Sequence, residues 1–128
     1  MQTLLFQDFI TITGPSGSAD IVQTDTAWLG CQGVEELVFW LDLRGVSGTV
    51  ALRYETAPAK ESPLFTSMVP ALDLGLLGVN TVTVTPALAN LCYASAAGWV
   101  RWRVGPTAAG AWSATFRIWV AMCANRRM

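Results

Sequence analysis

Apolar and polar residues alternate one for one along most of this chain, the period of a strand with one buried face rather than the 3.6 of an amphipathic helix. Leu37, Phe39, Leu41 and Leu43 alternate with Glu36, Val38, Trp40 and Asp42. Arg44 to Gly48 then reads as a turn, and Val50, Leu52 and Tyr54 alternate with Thr49, Ala51, Arg53 and Glu55, so the two runs together predict a hairpin. Val82 and Val84 alternate with Thr81, Thr83 and Thr85. Val100, Trp102 and Val104 alternate with Trp99, Arg101 and Arg103, and Trp112, Ala114, Phe116, Ile118 and Val120 with Ser113, Thr115, Arg117 and Trp119. The last two runs predict a second hairpin across Gly105 to Gly110.

Leu4, Phe6, Ile10 and Ile12 mark one side of a further strand near the start, cut from the rest by Gly14-Pro15-Ser16-Gly17-Ser18. The strand has two possible placements: the edge of the chain's own sheet, or an arm that adds to a neighbouring subunit's sheet. The expected organisation is residues 1–18 as N-terminal strand or arm with its linker, 19–123 as the domain, and 124–128 as a short tail. Pro86 to Leu91 is the one segment with a helix signal, Pro at the first turn followed by good helix formers. Short strands separated by Gly/Pro turns point to an all-β fold, a single antiparallel β-sandwich with jelly-roll connectivity.

Composition narrows the chemistry. The chain has 128 residues, enough for one domain with a real core, and is 52% hydrophobic but only 13% charged, about half the charge of an ordinary domain. Eight Lys and Arg against nine Asp and Glu leave a net charge of -1, without the basic footprint of a nucleic-acid binder or a polybasic membrane-surface protein. There is no histidine, which excludes Ser-His-Asp and Cys-His nucleophile systems and the commonest metal ligand. Cys31, Cys92 and Cys123 offer no CxxC pair and sit among small or apolar neighbours, as buried thiols do. The start lacks a basic n-region and a long apolar h-region, so a chain released in the cytoplasm is expected. Leu74 to Val100 is uncharged and long enough to span a bilayer, but its Gly, Asn, Thr and Pro residues break a spanning helix.

Other chemistry has little support. Glu35 and Glu36 are adjacent, so on a strand they point to opposite faces and cannot flank one glycosidic bond. Asp42 and Glu55 can meet only through the fold, and salt bridges with Arg44 or Arg53 are the commoner use. Asp20, Asp25 and Asp73 lack the clustered spacing of a calcium loop. Gly14 to Ser18 lacks the Gly-Lys-Ser/Thr of a phosphate loop. No catalytic residue, cofactor or metal is expected.

Trp28, Trp40, Trp99 and Trp119 fall on the polar side of the alternation or can do so, and would leave a monomer unusually apolar outside. One reading places them under loops or the N-terminal strand, with arginine stems over the rings. Another has partner subunits bury them, with Trp40, Trp99, Arg101, Arg103, Arg117 and Trp119 forming an intersubunit surface, since Arg and Trp dominate binding hot spots. In that reading Trp99, Arg101 and Arg103 share a strand face that pairs, through the second hairpin, with the one carrying Arg117 and Trp119. A third makes them a carbohydrate platform.

The stretch from Glu36 to Glu61, with its Val46-Ser47-Gly48-Thr49 turn, its Glu55-Thr56-Ala57-Pro58 strand end and the later Phe65, resembles the strand-turn-strand of small β-sandwich virion proteins of tailed bacteriophages and phage-derived particles. Trp99 to Val104 and Ala114 to Val120 are similar to the closing hairpin of those proteins. The resemblance spans roughly residues 27–122 and implies a non-enzymatic capsid decoration or cement subunit, or a small tail or baseplate component. It also implies a virion location with assembly in the host cytoplasm, major capsid or tail protein as partner, and a homo-oligomer, a trimer foremost.

Overall fold

The computed structural model describes residues 2–31, 34–84 and 98–124. Among these residues ten strands follow in order: β1 (Gln2–Gly14), β2 (Ile21–Val22), β3 (Leu29–Gly30), β4 (Val34–Ser47), β5 (Val50–Ala57), β6 (Thr66–Ser67), β7 (Leu72–Asp73), β8 (Gly78–Val84), β9 (Trp99–Pro106) and β10 (Trp112–Ala124). Short 3₁₀ turns occupy Asp25–Ala27 and Ser62–Leu64. The helix expected over Pro86 to Leu91, and Cys92, lie outside the described residues. No helix among the described residues is long and apolar enough to cross a membrane.

All pairings are antiparallel, and they nest. β1 pairs with β10, β2 and β3 with β9, β4 with β8, and β5 with β6 and β7. The chain thus doubles back on itself as one long ribbon. Rolling that ribbon up adds the pairs β4 with β10 and β5 with β9, and gives two sheets, β1-β10-β4-β8 and β2-β9-β5-β6. This is a jelly roll, the sandwich connectivity expected from the short strands and Gly/Pro turns.

Both expected hairpins are corrected by this topology. β4 and β5 do not pair, because β4 lies in the four-stranded sheet and β5 in the six-stranded one; β9 and β10 are divided in the same way. A hairpin would place both runs in one sheet, whereas divided strands can turn their apolar faces toward each other. Phe39 on β4 and Tyr54 on β5 show the result, stacking across the sandwich with ring centroids 4.0 Å apart and planes 9° from parallel. Gly48 makes the corner with φ at 76°. A Cβ there would meet the Ala111 carbonyl oxygen at 2.7 Å, because the β4–β5 and β9–β10 corners lie against one another, joined by Thr107 N–H donating to the Thr49 carbonyl at 2.9 Å.

Inside, Leu37, Phe39, Leu41 and Leu43 meet Leu52, Tyr54, Val100, Trp102 and Val104, with Phe116, Ile118 and Val120 beside them. Each such large side chain contributes roughly 1.5–3 kcal/mol by leaving water. Of its two possible placements, β1 adopts the edge of the chain's own sheet, pairing with β10 from Gln2 to Gly14 and burying Phe6 and Ile12. The following Gly14 to Ser18 segment is anchored, with Ser18 Oγ accepting from the Trp112 indole at 2.7 Å.

Candidate interaction surfaces

The division of β9 from β10 separates the six residues expected to form one surface. Trp40, Arg117 and Trp119 point outward from the four-stranded sheet, while Trp99, Arg101 and Arg103 belong to the other sheet.

On the four-stranded sheet, cross-strand register places Leu5, Trp119, Trp40 and Thr81 in one row across all four strands. The neighbouring row holds Arg117, Asp42 and Val79. Asp42 accepts from Arg44 Nε at 2.7 Å and Nη2 at 3.1 Å, and from Arg117 Nη2 at 3.2 Å. The hydrogen bonds from Arg44 hold its carboxyl below the usual carboxylate range, burial opposes them, and Arg117 adds to the lowering. Arg117 and Arg44 both lie over the Phe9 ring, 4.5 and 5.5 Å from its centroid. A hollow of about 450 Å³ opens beside them, lined by Thr3, Trp40, Asp42, Val79, Arg117 and Trp119. Trp119 is 37% exposed and Val79 69%.

From Val79 the apolar surface continues to the preceding loop, where Leu76 is 90% exposed. Leu76, Leu77 and Val79 line a second, smaller hollow above Leu41 and Leu43. Sequence reasoning missed this loop. Its signal was the glycine-bracketed Leu76-Leu77 pair inside the long uncharged run, a spacing that suits an exposed turn better than a core strand.

The outer face of the six-stranded sheet is covered by the chain itself around Arg101 and Glu55, while Arg53 and Arg103 stay partly exposed. Arg101 is 3% exposed and donates Nε to Glu55 at 2.9 Å and Nη1 to Ser62 Oγ at 3.0 Å. Its guanidinium lies 4.0 Å from the Phe65 centroid and 5.2 Å from that of Trp28. The two rings meet edge to face at 4.8 Å and close over it. Arg103 bridges Asp20 at 3.3 Å and Glu55 at 3.5 Å, and Arg53 reaches Asp20 at 3.4 Å. Asp20 can lie on the sheet because Gly105 beneath it has no Cβ, which would overlap the carboxylate. Trp99 is half-buried, with Lys60 Nζ 5.0 Å from its ring centroid. Arg101 thus lies under loop rings, with Trp28 part of the roof, whereas Trp40, Arg117 and Trp119 point outward from the four-stranded sheet.

Asp42 and Glu55 project from opposite outer faces, each tied to two arginines. Among the described residues no group of three or more His, Cys, Asp or Glu is placed to hold a metal ion.

No protein-family model matches the sequence, and no curated protein matches it. Among solved structures, a chain of the full particle of Israeli acute paralysis virus heated to 63 degrees is similar over 99% of this chain and 76% of that one, at 13% identity and a TM-score of 0.41.

Proposed function

We propose that this chain is a non-enzymatic virion structural protein, a capsid decoration or cement subunit that works by protein–protein contact. The observation that carries the reading is the outer face of the four-stranded sheet: Leu5, Trp119, Trp40 and Val79 form an apolar band continued by Leu76 and Leu77. The charges within it, Asp42, Arg44 and Arg117, are already paired with one another. Such a band, rimmed by threonines, suits burial against a neighbouring protein, with Trp and Arg as anchors. Jelly rolls serve viral capsids and lectins alike, and the resemblance of Glu36–Glu61 to phage virion proteins favours the first. A small tail or baseplate component would use the same face.

The test is co-sedimentation of the full chain with purified tailed-phage capsids stripped of their decoration subunits. The expected result is saturable binding, lost in Trp40→Ala/Trp119→Ala. Absence of binding by the folded wild-type chain overturns the reading.

The hollow itself favours a second reading. Trp119 offers a partly exposed ring, with the Arg117 guanidinium 5.8 Å from its centroid, and Arg117, Asp42 and Thr3 offer polar groups for hydroxyls, the elements of a carbohydrate platform. A folded monomer that ignores capsids but shifts its tryptophan fluorescence across a glycan panel would support this alternative.

A further inference from the structure

A sheet edge is a row of unpaired backbone donors and acceptors, which proteins blunt with short strands, bulges, charges or proline. Three of the four edges of this sandwich are blunted. Both edges of the six-stranded sheet are broken into two-residue pieces, β2 and β3 along β9, and β6 and β7 along β5. On β1 the register shifts between Leu5 and Gln7 and again between Gln7 and Ile10. Side chains also occupy main-chain groups at that bulge: Phe9 N–H donates to Asp8 Oδ1 at 2.7 Å, Gln7 Nε2 to the Asp8 carbonyl at 2.9 Å, and Gln23 Nε2 to the Phe6 carbonyl at 2.8 Å.

β8 carries none of these devices. It pairs with β4 in unbroken register from Leu43↔Gly78 to Leu37↔Val84. Its sequence, Gly78-Val79-Asn80-Thr81-Val82-Thr83-Val84, has no charge and no proline and is rich in β-branched residues. Among the described residues no strand pairs with its other edge, and Val79, Asn80, Thr81 and Thr83 are exposed.

We propose that this edge pairs with the same edge of a second copy, β8 against β8 in antiparallel sense, joining two four-stranded sheets into one of eight strands. A second copy fits for three reasons. An uncharged strand meets itself without like-charge repulsion. Antiparallel pairing about a two-fold axis is self-complementary and closes at two copies. The facing side chains are then threonines and valines, which make favourable cross-strand pairs. The row Trp119, Trp40, Thr81 would run on into the second copy, doubling the apolar band proposed above for docking. The inference rests on the assembly reading only in taking the chain to be oligomer-forming; the pairing is measured on the purified chain alone.

Thr81→Lys/Thr83→Lys tests it, because both side chains are exposed and self-pairing along this strand gathers the new charges. Sedimentation equilibrium of the wild type should show a dimer, weakened roughly ten-fold or more in the variant. An equimolar mixture with Thr81→Glu/Thr83→Glu should restore a heterodimer. A wild type that stays monomeric, or a dimer indifferent to the lysines, overturns the proposal. Should the lysine variant fail to fold, amide exchange on the wild type decides: protection over Gly78–Val84 rises with protein concentration if β8 pairs, and concentration-independent exchange overturns the pairing. A dimer that does not bind capsids defeats the functional reading alone, and a monomer that binds them defeats this one alone.

Discussion

Arg101 donates its Nε–H to Glu55 across 2.9 Å with both side chains almost wholly withdrawn from water. Removing one member leaves a buried charge short of its partner, so Arg101→Met should destabilise by about 3 kcal/mol, the lower end for a broken buried pair, because Arg103 still reaches Glu55. Arg101→Met/Glu55→Leu should recover most of the loss. Urea unfolding followed by tryptophan fluorescence checks both.

Tyr54 stacks on Phe39, yet among the described residues its buried hydroxyl has no hydrogen-bond partner. Tyr54→Phe should therefore be neutral or stabilising by about 1 kcal/mol, whereas Phe39→Ala should lose about 3–5 kcal/mol. Burial also pushes the Tyr54 phenol far above its ordinary value. A raised folded-state pKa gives stability that is present below the unfolded value and lost as pH rises, here from about pH 10. The alkaline fall in thermal midpoint should be shallower in Tyr54→Phe.

Asp42 works in the opposite direction. Its carboxyl is lowered in the folded state, so its contribution is present above the unfolded value of about 3.9 and lost as pH falls through the folded one. Asp42→Asn should lower stability at neutral pH and flatten the acid limb of a thermal-midpoint profile. An acid limb unchanged from wild type would show that Asp42 does not contribute to it.

Deleting residues 2–14 should abolish folding rather than only weaken assembly, because it removes Phe6 and Ile12 from the core and strips β10 of one neighbour. Loss of far-UV strand signal and of a cooperative melt is the expected outcome. A cooperatively folded truncation would show that the sandwich does not depend on β1.

Alternation made the inward set of β4, β5, β9 and β10 legible, since a period of two states which side of a strand is apolar. It does not state which strand lies alongside, and for that reason Arg44 to Gly48 reads as a hairpin turn although Gly48 turns the chain across the sandwich. The outward placement of Trp40, Arg117 and Trp119 followed from the same parity. Arg101 has that parity too, yet it is roofed by Trp28 and Phe65 from loops distant in sequence. The position of Asp20 depends on the missing Cβ of Gly105, and nothing in the local pattern of either residue announces the contact.

The nested strand order sets a schedule for synthesis. Among the described residues β4 finds one strand neighbour in β8, but its other flank stays open until β10 emerges, and β1 pairs with no strand until then. Pairings between such distant segments make folding slow, on the order of milliseconds to seconds. During translation the nascent chain therefore presents β1 and one flank of β4 as unpaired strand edges, the kind of surface through which folding intermediates aggregate.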